Sequence, residues 1–238
     1  MQANTSFEAR RGQIEHYFDR AAMKQWEQLT SDAPVSGIRA TVREGRDRMR
    51  ELLLNWIGSD LHGLRVLDAG CGTGAFAMAA ARRGADVVAI DISPALVDVA
   101  LRRCAANLDT FDSGGRIDFR VGDMTSAGLG EFDVVVAMDS LIHYTPEDTL
   151  QVLQAWSGRI RRQMLFTFAP SNPLLLTMHA VGRLFPRGDR APMIEPVAER
   201  DLRRKLASDD SLSGWQAQRS QRVARGFYTS QAFELVRP

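Results

Sequence analysis

The sequence predicts a doubly wound α/β fold: a mostly parallel, seven-stranded sheet with helices on both faces, preceded by an N-terminal helical arm and closed by a C-terminal antiparallel hairpin. Three observations carry this reading. Five short apolar runs, residues 64–67, 86–90, 117–121, 132–138 and 163–168, are bounded by turn residues, and helix-like segments separate most of them. Gly70, Gly72 and Gly74 crowd the junction between the first run and the next helical segment, where open α/β sheets take ligands. Two final runs, 215–223 and 227–236, flank the turn-like pair Arg225-Gly226.

Taken in order, residues 1–42 read as a polar arm or lid over a body at 43–238. In 43–57 the apolar residues Met49, Leu52, Leu53, Trp56 and Ile57 recur at helical spacing, and Gly58 ends the run, which predicts a helix packed on the sheet. Further helices are expected at 75–83, 94–106 and 146–160. After Ala169 the pattern loosens. Pro170, Pro173, Pro186, Pro192 and Pro196 surround an apolar stretch at 174–185, so 170–195 is read as an apolar insertion or lid, followed by a helix at 196–207 and the hairpin.

The chain has 238 residues, 45% hydrophobic and 25% charged, which is enough to bury one substantial core. Its apolar runs fall far short of the ~20 residues that span a bilayer. The first 20 residues show no secretory pattern, and a cytoplasmic location is expected. Cys71 and Cys104 match no metal-ligand spacing, and no metal site in the protein itself is expected. Residues 151–238 hold 14 Lys and Arg against 7 Asp and Glu, whereas residues 1–150 hold 16 against 22. A basic back of this kind suits a solvated face, an anionic substrate or an anionic membrane surface. It lacks the interleaved aromatics of a nucleic-acid platform, so no nucleic-acid partner is expected.

The strongest motif is Asp68-Ala69-Gly70-Cys71-Gly72-Thr73-Gly74 at the end of the first strand. Closely spaced glycines let a ligand approach the backbone. A dinucleotide site would show G-x-G-x-x-G and present a helix N-terminus to pyrophosphate. Here the spacing is G-x-G-x-G with an acid in front, which suits a cationic, phosphate-free ligand. Asp91 and Asp123 follow the next two strands, although Asp123 alone would also serve as a turn or helix cap.

This motif resembles the first motif of the Rossmann-like class I methyltransferases. The resemblance implies S-adenosylmethionine as cofactor, with S-adenosylhomocysteine as product. It implies a cofactor site of Asp68, Gly70, Cys71, Gly72, Gly74, Asp91, Ile92, Asp123, Met124 and Met138, in which Asp91 holds the ribose hydroxyls and Asp123 approaches the adenine amine.

Two further segments, Tyr17-Phe18-Asp19-Arg20 with Trp26 and residues 31–39, and Met138-Asp139-Ser140-Leu141-Ile142-His143-Tyr144, resemble the magnesium-protoporphyrin IX O-methyltransferases of bacteriochlorophyll and chlorophyll synthesis, over almost the whole chain. The resemblance implies methyl transfer to the ring C propionate of magnesium-protoporphyrin IX, with magnesium present only within the substrate. It implies His143 and Tyr17 as catalytic residues and the porphyrin-carrying magnesium chelatase subunit as a partner; Arg39, whose fork suits the second propionate, and Asp139 and Tyr144, at the pocket, are expected to bind substrate. For His143, acceptance of a proton, orientation of the carboxylate and axial ligation of the substrate's magnesium stay open. For Tyr17, Phe18 and Trp26 the alternative is a hydrophobic pin holding the arm. The stretch at 174–185 is open between core packing, a porphyrin face and peripheral contact with a photosynthetic membrane. Two other functions compete: methyl transfer to a quinone or phenol hydroxyl, which would need a stronger base, and a cofactor-binding RNA-associated or regulatory protein.

Overall fold

The computed structural model of the chain describes residues 37–107, 114–171 and 194–238, together with Gly12. Helix α1 (Gly37–Ile57) leads into β1 (Arg65–Ala69), α2 (Ala75–Arg82), β2 (Asp86–Asp91), α3 (Pro94–Ala105), β3 (Arg116–Val121), β4 (Phe132–Ala137), α4 (Pro146–Ser157) and β5 (Ile160–Pro170). After the undescribed residues 172–193 come β6 (Pro196–Val197), α5 (Glu199–Ala207), β7 (Gln216–Arg225) and β8 (Tyr228–Val236).

The strands run in the order β3-β2-β1-β4-β5-β8-β7, with the two-residue β6 paired beside β5 off this path. Strands β1 to β5 are mutually parallel where they pair, while β8 is antiparallel to both β5 and β7. The order reverses between β1 and β4, and a crevice must open above that switch point, at the strands' carboxyl ends.

Period-two alternation divides the strand side chains between two cores, one on each face. Leu67, Val88, Val135, Met164 and Phe166 enter one cluster with Trp156 of α4 and Leu202 of α5. Val66, Val87, Val134 and Leu165 enter the other with Met49 and Leu53 of α1 and Phe76 of α2. A sheet buried on both faces reads in sequence as continuous apolar runs, which is why these strands were legible.

Local chemistry sets several boundaries. Ser93 caps α3, its hydroxyl accepting the Leu96 N–H at 3.3 Å with Pro94 next in the chain. Thr145 caps α4, accepting the Asp148 N–H at 3.1 Å ahead of Glu147 and Asp148. Helix α1 begins at Gly37 rather than residue 43 and so runs across the 42/43 boundary expected between arm and body. Helix α5 starts at Glu199 rather than 196, because Pro196 and Val197 extend along the end of β5. Strand β5 is longer than 163–168, since pairing with β4 on one side and β8 on the other carries it from Ile160 to Pro170.

Helix α1 lies close against the hairpin. Gly45, inside the helix, faces the Tyr228 ring so closely that a methyl there would sit 2.5 Å from Cδ1. Glu44 beside it pairs with Arg225 at 2.6 Å.

Candidate active site

At the end of β1 the backbone turns sharply. Gly70 adopts φ 80°, and any side chain there would collide with Ser140 Cβ. The Gly70 and Cys71 N–H groups donate to the Ile90 carbonyl at 2.8 and 3.0 Å, which ties the loop to β2. Asp91, the last residue of β2, accepts the Gly72 N–H at 2.8 Å on one oxygen and the Ser93 N–H at 2.9 Å on the other. The carboxylate thereby holds the glycine loop as well as facing the crevice.

Asp68 is almost wholly buried and accepts the Ala77 N–H of α2 at 3.1 Å. Burial pushes its carboxyl up to about 7; the Ala77 hydrogen bond opposes this and the Asp91 charge adds to it. Cys71 is also buried, and its thiol is pushed well above its usual range, first by burial and then by the two nearby acids, so it remains a neutral thiol. Asp123 accepts both the N–H and the hydroxyl of Thr125 at 2.7 Å, a tight turn after β3. The neighbouring Met124 is held by the Trp156 indole, which donates to its carbonyl at 3.0 Å.

The opposite wall is the corner after β4. Asp139 has φ 57°, the only described non-glycine residue with positive φ. Its N–H donates to Thr167 Oγ1 at 2.8 Å, while its carboxylate accepts the Tyr228 hydroxyl at 3.0 Å and lies within 3.3 Å of Ser230 Oγ and 3.2 Å of Thr167 Oγ1. Arg46 of α1 pairs with it at 2.9 Å, the two side chains being 14% and 4% exposed. Ser140 then donates its hydroxyl to the Ala69 carbonyl at 2.9 Å. A single turn at Leu141–His143 carries His143 and Tyr144 onto the wall, Tyr144 anchored in the core.

Together these elements enclose a cleft of about 920 Å³, its open mouth included. All of the expected cofactor residues except Gly74 line it, as do Asp139, His143 and Tyr144. Gly74 is instead the left-handed cap residue of α2. Arg39 is exposed on the first turn of α1, away from the cleft wall. Tyr17, Phe18, Trp26 and the stretch 174–185 lie outside the described residues. Sequence reasoning missed Arg46, Thr167, Tyr228 and Ser230. Only Gly45 hinted at them, since a glycine inside a helical pattern marks a close approach.

Residues 66–163 match the family model described as a methyltransferase domain, and residues 137–237 match the model described as magnesium-protoporphyrin IX methyltransferase C-terminus. The chain is 47% identical to the magnesium-protoporphyrin O-methyltransferase of Rhodobacter capsulatus, over 94% of this chain and 95% of that protein. Its fold is similar to the crystal structure of magnesium protoporphyrin IX methyltransferase from Synechocystis PCC 6803 with bound SAH, at a TM-score of 0.83 and 27% identity, covering 96% of this chain and all of that one. The same Synechocystis protein with bound SAM superposes with a TM-score of 0.78 at 25% identity, covering 96% of this chain and 97% of that one. Identity of 47% along 94% of the chain, joined to the shared fold and to the family model over residues 137–237, places the chain in the magnesium-protoporphyrin O-methyltransferase family of class I methyltransferases.

Proposed function

We propose that this chain transfers the methyl group of S-adenosylmethionine to the ring C propionate of magnesium-protoporphyrin IX, forming the monomethyl ester and S-adenosylhomocysteine in bacteriochlorophyll synthesis. The observation that carries the reading is one cleft with Asp68, Asp91 and Asp123 on one side and His143 and Tyr144 on the other. The donor set fits the cofactor: a nearby cation converts the part-protonated Asp68 to a carboxylate, whereas a pyrophosphate would meet like charge. When bound, S-adenosylmethionine supplies an electrophilic methyl on a positively charged sulfur.

Asp91, already oriented by two backbone N–H groups, is assigned the ribose hydroxyls. Asp123 is assigned the adenine amine, with Ile92, Met124 and Met138 as apolar walls, while Gly70, Cys71 and Gly72 bring backbone close to the ligand and Gly74 sets the turn. In-line displacement needs the propionate oxygen held ~3–3.5 Å from the methyl carbon, so positioning and exclusion of water supply most of the rate. A propionate with an ordinary carboxyl pKa near ~4 is ionised at neutral pH and needs no strong base. His143 therefore orients the carboxylate or accepts a proton from its acid form. Magnesium prefers oxygen ligands, so axial ligation by His143 is not assigned.

Tyr17 is assigned to close over the site from the arm at 1–42, and Tyr144 to line the substrate side. Arg39 lies seven residues, two helical turns, before Arg46 on the same face of α1. It is assigned the second propionate of a substrate that projects beyond the cleft mouth. The porphyrin-carrying chelatase subunit and peripheral contact of 170–195 with a photosynthetic membrane belong to the same proposal. Their support is the resemblance and the basic C-terminal third.

The test is titration with magnesium-protoporphyrin IX and S-adenosylmethionine, following the visible spectrum and ester formation. One methyl ester per porphyrin supports the reading. Cofactor binding with no porphyrin response overturns it.

A further inference from the structure

We infer that Arg46 grips the substrate carboxylate at the reacting end of the cleft, and that Asp139 is the mount that holds Arg46 in place. The inference rests on the tetrapyrrole reading above and adds a residue that the sequence motifs do not mark. Four aspartates, Asp68, Asp91, Asp123 and Asp139, line the cleft. Among the described lining residues only Arg46 and His143 are able to carry a positive charge. An anionic propionate entering that wall needs a fixed cation, and an arginine fork matches a carboxylate in shape as well as in charge.

The guanidinium is unusually well fixed. Arg46 pairs with a carboxylate that Tyr228, Ser230 and Thr167 hold at 3.0, 3.3 and 3.2 Å. Those partners sit on the paired strands β8 and β5, and Gly45 lets α1 approach close enough for Arg46 to reach them. Asp139 itself holds a left-handed backbone, φ 57°, at the same corner. For stability alone, well-packed apolar side chains would replace a buried ion pair at no loss. A costly pair kept at a cleft wall is accounted for by what it presents to the cleft: a planar donor array able to bridge Asp139 on one edge and a substrate carboxylate on another.

The experiment compares the binding of magnesium-protoporphyrin IX with that of its monomethyl ester, in which the ring C propionate is esterified and the second propionate stays free, by quenching of protein fluorescence. Wild type, Arg46→Lys and Arg46→Gln are each measured, with S-adenosylmethionine affinity as the check on folding. Wild type is expected to prefer the diacid at least tenfold. Arg46→Gln is expected to remove that preference, leaving monoester affinity within twofold, and Arg46→Lys to reduce it at least threefold, because lysine keeps charge but not the fork. A wild-type preference retained in either variant overturns the inference, and should the glutamine variant not fold, the lysine variant decides alone. Equal binding of both porphyrins by wild type overturns this inference while leaving the tetrapyrrole reading standing. No binding of either overturns both.

Discussion

Gly45→Ala sets two opposed terms against each other. Replacing a helix-interior glycine by alanine ordinarily stabilises a helix by ~1 kcal/mol. Here the added methyl would lie 2.5, 2.7 and 2.8 Å from Cδ1, Cγ and Cβ of Tyr228. These atoms are the root of the ring rather than the end of a flexible chain. Tyr228 is 8% exposed, opens a strand paired to β7, and donates its hydroxyl to Asp139, so it has little room to move aside. Overpacking of this kind costs ~1–3 kcal/mol, and a pinned ring puts the cost near the upper end. The net is a loss of ~1–2 kcal/mol, or about 2–8 °C in melting temperature for a domain of this size. Because Tyr228 also holds Asp139, the displaced ring should loosen the cleft wall and lower porphyrin affinity more than cofactor affinity. The assay is thermal unfolding followed by separate titrations with S-adenosylmethionine and magnesium-protoporphyrin IX. A melting temperature equal to or above wild type would refute the close-packing argument.

Three further outcomes are expected. Burial pushes the Asp68 carboxyl up to about 7. The folded free protein therefore keeps a proton between pH ~4 and 7 that the unfolded chain releases, and loses stability as pH rises through that window, by up to ~1.4 kcal/mol per pH unit. A cationic cofactor reverses the trend, so S-adenosylmethionine should bind more tightly from pH 6 to 8 with proton release. Calorimetry in buffers of different ionisation enthalpy checks this, and pH-independent binding without proton release would contradict it. Asp139→Asn keeps a residue that tolerates left-handed backbone but leaves Arg46 without its charge partner, which should cost ~3–5 kcal/mol in chemical unfolding; a loss under 1 kcal/mol would mean that the pair is not held as described. His143→Ala should slow methyl transfer without abolishing it at pH 8, because the propionate is already ionised. A variant that binds porphyrin normally yet shows no turnover would make His143 an obligatory base.

The parallel half of the fold was readable from local sequence because the strands β1, β2, β4 and β5 are largely buried and two of the helices carry clear start signals, Ser93-Pro94 and Thr145-Pro146. The hairpin was readable from the turn between its two strands. The cleft wall that carries the glycines, Asp68, Asp91 and Asp123 was equally legible: glycines and acids at successive strand ends are neighbours in space as a consequence of parallel pairing alone, as the Asp68↔Ala89 and Asp91↔Val121 registers show.

The wall around Asp139 was not legible in the same way. Asp139 meets Thr167, Ser230 and Tyr228 because β8 returns antiparallel beside β5, and it meets Arg46 because Gly45 lets α1 press on the hairpin. Apart from the neighbouring Gly45, nothing local distinguishes Arg46 from the other arginines of α1, and nothing local turns Asp139 inward. A local pattern determines which segments form strands and where a glycine loop must bend. Which side chains share one buried charge network, at separations of 28 to 93 residues along the chain from Asp139, was decided only when the sheet closed around them.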